Sequence, residues 1–325
     1  EEIYPKNISL CPEGCEYNGV NLEEKFVDCE CEPDYSGSVS NCNFINNSAD
    51  SNGGAVYFSS TVNMTNCNFT GNIAATGYGG AVWMSSGTVT NCNFTDNHAI
   101  YGGAVIISSG TVTNCNFSNN QASYKGGAVQ FSNDGNVTNC NFNNNQAAGS
   151  PSLGGAIQFG GTGTVSNCNF TGNIAATGEG GAVWMSSGTV INCNFNGNKA
   201  TGNNGLGGAI YFDSEGDVKN CNFADNSASR YGGAVRFKSN GDVKNCNFAN
   251  NSDSGDGGAV WMDHGSVSNC NFNDNSAYGK GGAIWQYSGS VENCNFTNNK
   301  ATDTISWGGA VYFDFRGNVT NCNFT

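Results

Sequence analysis

The tetrapeptide Asn-Cys-Asn-Phe occurs twelve times, with its cysteine at Cys42, Cys67, Cys92, Cys115, Cys140, Cys168, Cys193, Cys221, Cys246, Cys270, Cys294 and Cys322. Successive spacings are 25, 25, 23, 25, 28, 25, 28, 25, 24, 24 and 28 residues. After each of the first eleven copies comes Phe-x-x-Asn and then Gly-Gly-Ala-Val/Ile. Such a chain has to build one structural unit over and over and stack the copies, because a single unit cannot bury its own apolar face. The stretch Asn66 to Phe94 returns at Asn167 to Phe195 with only Tyr78/Glu179 and Thr90/Ile191 exchanged. The copies lie four units apart, which implies duplication of a four-unit block, interchangeable units and a function spread along the array.

A period near 25 rich in Gly and Asn excludes helical repeats, which need helix formers, and leucine-rich repeats, which need leucine. Short strands punctuated by Gly and Asn turns fit an all-β fold: a parallel β-helix, or solenoid, of about eleven coils. The alternation in one unit agrees. Met64, Cys67, Phe69, Val82 and Met84 face in, whereas Asn68 and Trp83 face out. Three short strands result, around Met64, at Cys67 to Phe69 and at Val82 to Met84, and Asn72 to Gly80 reads as one turn. The opposite turn, between the Phe or Met of one unit and the next Val, holds 4 or 5 residues. Asn41, Asn66 and Asn91 are placed in left-handed bends, which Asn tolerates. Their amides are expected to hydrogen-bond along the stack as a ladder.

The domain reading is 1–37 as a Cys-rich N-terminal cap and 38–325 as the repeat array, ending in an incomplete coil. A net charge of −14 disfavours nucleic acid and anionic membranes as partners. No run of about 18 apolar residues is present, so no membrane insertion is expected. The chain opens at Glu1 and is read as a mature chain released from a signal peptide.

The pairs "FINN" with "GGAVYF", "FTDN" with "GGAVII" and "FADN" with "GGAVRF" resemble the paired repeat signature of the polymorphic outer membrane proteins, bacterial autotransporter adhesins. Similar Asn/Gly-rich repeats occur in archaeal adhesin-like surface proteins. The resemblance spans about 285 of the 325 residues. It implies a right-handed β-helical passenger, secretion to the cell surface and an adhesive role. That family ends in a membrane β-barrel, whereas this chain stops at Thr325 within a coil, so only the passenger-like part carries over.

Cysteines fall into two classes. Cys11, Cys15, Cys29 and Cys31 lie before the array, and an even count in such a segment reads as two disulfides joining the first pair to the second. A zinc site is the alternative, with spacings that match zinc fingers poorly. The twelve array cysteines form one inward column. Either they are free thiols packed as small hydrophobes, or some pairs are oxidised, although parallel Cβ vectors at strand spacing oppose bonding.

The outward column carries Tyr57, Trp83, Trp184, Tyr211, Trp261, Trp285 and Tyr312 among more polar residues. It reads either as cross-strand packing or as a surface-contact stripe for glycans or a neighbouring rod. The turn between Phe-x-x-Asn and Gly-Gly varies from "HAIY" to "QAAGSPSL" and marks the exposed, variable edge. Twelve Asn-x-Ser/Thr sequons, at Asn7, Asn46, Asn63, Asn68, Asn93, Asn116, Asn136, Asn169, Asn250, Asn295, Asn318 and Asn323, are candidate N-glycosylation sites. In so Asn-rich a chain, chance accounts for them equally well.

Catalytic signatures are sparse. His98 and His264 stand in different units, and no Ser/His/Asp set is apparent. The acidic residues Asp134, Glu215, Asp217, Asp242 and Asp263 read as single solubilising charges on different coils. No catalytic, cofactor or metal residue is assigned, and the chain is not expected to be an enzyme. The reading is an extracellular structural or adhesive protein. Its open last coil is expected to meet either the next subunit, head to tail in a filament, or the rest of a longer parent chain. Host or matrix glycans are possible partners. The alternative is a polysaccharide-binding or polysaccharide-degrading β-helix.

Overall fold

The computed structural model describes residues 37–325 and, before them, the backbone of the strands Cys15–Asn21 and Phe26–Cys31. One coil runs Val82–Thr90, Asn93–Thr95 and His98–Tyr101 before Val105 opens the next. Like strands stack in parallel into three sheets, here A, B and C, of 16, 12 and 11 strands. Register is like over like: Val82 lies beside Val105, Phe94 beside Phe117 and Ala99 beside Ala122. Three walls therefore enclose one continuous core in an all-β solenoid of about twelve turns, one more than expected, because the last Asn-Cys-Asn-Phe adds its own strand to sheet B.

Two assignments differ from the sequence reading. The stretch from Asn72 to Gly80 is not one turn: Ile73–Tyr78 is a strand of sheet C, and Ala74 is fully buried. In most coils sheet C takes only two residues, as at Ile174–Ala175, and a single inward Ala leaves no alternation to read. Conversely, the segments at Val82 to Met84 and before the next Asn-Cys belong to one nine-residue strand of sheet A, Val82–Thr90. The Ser-Ser-Gly between them continues the strand instead of turning.

Each coil needs three corners, and each corner has its own residue type. Between sheets A and B the residue is Asn in every coil, from Asn41 to Asn321, with φ between 52° and 58°. This is the left-handed region that Asn adopts more readily than most non-glycine residues. At the corner from C back to A, Gly79 has φ 67°, and a Cβ on Gly80 would lie 2.1 Å from the Gly103 carbonyl of the next coil. Only glycine fits so close a backbone approach.

A corner interrupts the backbone ladder, and side chains repair it. At the A/B corner the Cys67 N–H donates to Cys92 Sγ at 3.4 Å, while the Cys67 thiol donates to the Thr65 carbonyl at 3.3 Å. The N–H to sulfur contact repeats at every array cysteine from Cys67 to Cys294, at 3.4–3.5 Å. All twelve array cysteines are free. Hydrogen bonds from the neighbouring thiols of Cys168 and Cys221, then burial, push the Cys193 thiol far above its ordinary range.

At the B/C corner the repair is an asparagine ladder. Asn97 Oδ1 accepts from both the backbone N–H and Nδ2 of Asn72, each at 2.9 Å, and Asn72 Nδ2 also donates to the Phe44 carbonyl at 3.1 Å. Both donors of that amide are used inside the wall, as a buried amide requires. The column runs from Asn47 to Asn299 and is 0–1% exposed from Asn72 to Asn275. The ladder expected at Asn41, Asn66 and Asn91 is also present, but on the exposed corner and with longer bonds of 3.3 Å.

Inside, the column Phe44 to Phe324 stacks with ring centroids 4.7–4.9 Å apart and planes within 6°. Strand spacing imposes this sandwich geometry in place of the offset stacking that free rings prefer. Sheet C lines the core with Ala, except at Asp253, which lies in register between Ala228 and Ala277. Its side chain is 6% exposed; Oδ1 accepts from the Gly255 N–H and Oδ2 has no partner. Burial holds its carboxyl well above the ordinary carboxylate range, and the nearby charge of Asp256 pushes the same way. Ahead of the array, Cys15–Asn21 and Phe26–Cys31 form an antiparallel hairpin that pairs with Val56 to Phe58 of sheet A. Cys11 lies outside the described residues, as do the side chains of Cys15, Cys29 and Cys31.

Two outcomes follow from these corners and this core. Cys115→Ala removes the acceptor of the Cys92 N–H and leaves a void, so urea unfolding should register a loss of about 2–3 kcal/mol; an unchanged midpoint would show that the sulfur ladder contributes nothing. Asp253 binds a proton more tightly when folded, so its own contribution to stability is fully present below the unfolded carboxyl value near 3.8 and is lost as pH rises through its raised folded value. Asp253→Ala should therefore stabilise the protein at pH 7 by roughly 1–3 kcal/mol, with the gain shrinking at pH 3.5. Thermal melts at the two pH values read this directly, and equal gains at both would contradict it.

Candidate functional site

The coils differ from one another on the outer face of sheet A as well as along sheet C and its turn into Gly-Gly. Alternation turns the residue after each Val82-type position away from the core, so the predicted aromatic stripe does lie on the outside of the wall. It is less accessible than expected. Tyr211, Trp261 and Trp285 are only 3–8% exposed, and Tyr57, Trp83, Trp184 and Tyr312 are half-buried. Two kinds of neighbour cover them. Along the rod the rings stack on each other, Trp261 on Trp285 at 4.1 Å and Tyr57 on Trp83 at 4.6 Å. From the side, the residue preceding Gly-Gly folds over the column. Glu179 accepts the Trp184 indole N–H at 2.9 Å, Tyr231 leans on Trp261 at 5.4 Å, and the Lys280 ammonium sits 4.8 Å from the Tyr312 ring. This covering column was not anticipated; its sequence signal is the large variable residue always placed directly before Gly-Gly.

In-register stacking also gathers charges that the sequence spreads over separate coils. Asp213 meets Lys238 at 2.7 Å, Glu215 accepts from the Asn240 amide at 3.2 Å, and Asp217 lies beside Asp242. Of the acidic residues read as single charges, Glu215, Asp217 and Asp242 thus gather in one patch, whereas Asp134 stands apart and accepts from the Thr162 N–H at 2.7 Å. Lys219 binds Asp217 at 2.8 Å, and Ser266 donates to Asp242 at 2.6 Å. Between them lies a shallow cleft of about 130 Å³, lined by Glu215, Asp217, Asn240, Asp242, Gly216, Gly241 and Gly265.

Next to this patch, Arg236 takes an aromatic's place in the stripe. Its guanidinium carbon lies 3.3 Å from the Trp261 ring centroid, and one terminal nitrogen donates to the Phe237 carbonyl. Burial lowers its pKa to about 10, against the opposing pull of Asp263. Burial raises the Glu179 carboxyl, and burial with the charges of Glu179 and Asp213 raises the Tyr211 phenol. Asp213, Glu215, Asp217 and Asp242 each accept from or pair with a neighbouring side chain, so the patch is a connected polar network across coils.

The remaining predicted positions scatter. Asn68, Asn93, Asn116, Asn169 and Asn295 point outward from sheet B, and each donates its Nδ2 to the Asn of the preceding coil at 2.8–3.0 Å. Asn323 occupies the same column. Asn63, Asn136 and Asn318 lie exposed on sheet A, and Asn46 and Asn250 are at left-handed corners. Asn7 lies outside the described residues. His98 is in sheet C, whereas His264 lies on sheet A, 2.7 Å from the Ser288 hydroxyl. Among the described residues no group of three or more His, Cys, Asp or Glu is placed to hold a metal ion, and no helix is long and apolar enough to cross a membrane.

Comparison with known proteins agrees with this geometry. A repeat of the Chlamydia polymorphic membrane protein type matches residues 41–59. No curated protein and no solved structure matches the chain. The model of the right-handed beta helix region matches residues 81–207 and 154–324. It thus covers most of the array with the coil architecture described above, and the chain belongs to the right-handed β-helix family.

Proposed function

We propose that the chain is the rod of a secreted, adhesin-type cell-surface protein, whose contact surface is the outer face of sheet A with its variable turns. The observation that carries this reading is the division of labour within each coil. Core, corners and ladders repeat almost unchanged, while variation is concentrated on the outer faces of sheets A and C and in the turn that joins them. The polymorphic membrane protein repeat at residues 41–59 supports the same class. Because the stripe's ring faces are occupied by neighbouring rings, a ligand meets ring edges and the covering residues, among them Tyr78 and Tyr101, which stack on each other. Polysaccharide turnover finds less support, since the carboxylates with resolved partners on this face are engaged with neighbours. Head-to-tail stacking into a filament is the further form this reading takes, and glycans fit best at the exposed Asn63, Asn136 and Asn318.

In the N-terminal segment the hairpin register sets Cys15 opposite Cys31, which favours Cys15–Cys31 and Cys11–Cys29 disulfides in a cap on sheet A. Non-reducing peptide mapping should recover these two linkages; recovery of Cys11–Cys15, or of four free thiols, would remove the cap. Antibody raised against the folded rod should label intact cells of the source organism and block their attachment to a receptive surface. Labelling seen only after lysis, or attachment unaffected by saturating antibody, would reject the adhesin reading.

A further inference from the structure

The face of sheet B varies least, and its regularity goes beyond what a wall needs. Its corner column and its mid-strand column are Asn in all twelve coils. Its third outward column, through Thr95 and Thr171, holds only Thr, Ser, Asn, Ala and Ile45. These three columns carry no charge in a chain of net charge −14. The Phe stack directly beneath keeps its planes within 6° from ring to ring, so successive coils rotate little against one another. Many-stranded sheets normally twist, and flat ones are associated with side-chain ladders and stacking.

Each mid-strand amide uses one donor and one acceptor along the rod: Asn93 Nδ2 donates to Asn68 Oδ1 at 2.8 Å, and Asn116 Nδ2 to Asn93 Oδ1 at 2.9 Å. A primary amide has two of each. One N–H and one oxygen lone pair per rung therefore remain for a partner outside the rod. That partner has to repeat at the same pitch. If its repeat differed by a tenth of a rung, it would be half a rung out of step after about five coils. A second copy of this chain keeps step throughout, offers a donor and an acceptor at every rung, and brings no charge to desolvate.

We infer that two copies of the chain pair side by side through their sheet B faces, amide ladder against amide ladder, about a two-fold axis. Twelve strands of three residues present about 550 Å² per rod, or about 1,100 Å² in all, near the lower bound for a specific interface. The pairing is accordingly a concentration-dependent equilibrium. It does not depend on what the opposite face binds. It is incompatible with glycans on the Asn68 column, although those residues form sequons.

Sedimentation equilibrium of the full chain from about 1 to 300 μM tests it. The apparent mass should rise from 33.8 kDa to twice that value. The double variant Thr95→Lys/Thr171→Lys, which touches neither ladder nor core, should weaken pairing at least tenfold without moving the thermal melt. Thr111→Lys/Thr164→Lys on sheet A should leave pairing unchanged. Wild-type protein that stays monomeric throughout, equal weakening by both double variants, or glycopeptides at Asn68 or Asn93 in protein from the source organism would each overturn the proposal.

Discussion

A chain that closes a coil every 25 residues breaks its backbone hydrogen bonding at two of its three corners, while the glycine corner stays backbone-bonded, and the answer to those breaks governs the rest of the structure. Buried N–H groups without partners cost about 1–3 kcal/mol each, and a rod of about twelve turns has two such corners per turn away from the glycines. The repair is identical every time because the partner is always the same residue one coil further on. Cys92 sulfur serves the Cys67 amide, and Asn97 oxygen serves the Asn72 amide. Neither contact exists within a coil. Stability is therefore carried by the interface between coils, and it demands that identical residues lie directly over one another.

This dependence explains what the sequence discloses and what it conceals. The inward positions Met64, Cys67, Phe69, Val82 and Met84 are legible because period-2 alternation survives in strands of three or more residues. The left-handed corner at Asn66 is legible because few residues adopt that conformation. Sheet C escapes notice, since Ala74 alone faces inward and a lone Ala carries no pattern. The role of Asn72 is hidden for a related reason: an Asn beside a Gly-rich segment reads as a turn residue, and only its stacking on Asn97 turns it into a buried structural amide. Register is the missing quantity in both cases.

The same gap hid the charge patch. Asp217 and Asp242 are 25 residues apart in sequence but adjacent in sheet A. Departures from the repeat gain meaning through such neighbours. Asp253 replaces Ala in the core wall, Gln286 stands fully buried in a Phe/Met column with its Nε2 on the Gly265 carbonyl at 2.8 Å, and Arg236 interrupts the aromatic stripe. All three lie in the C-terminal half of the array. In the N-terminal half Gln130 and Gln158 likewise replace aromatics in the stripe, each with its Oε1 buried and unpartnered, so individual coils are exchangeable in architecture but not in local stability.

Hydrogen exchange of the asparagine side chains tests the ladder directly. If the column from Asn72 to Asn275 is locked coil upon coil, its Nδ2 protons should exchange as slowly as the backbone amides of the Phe strands, while the Asn68-type amides on the outer face exchange far faster. Free-amide exchange rates in the buried column would mean that consecutive coils do not lie in register, and the account given above would fail.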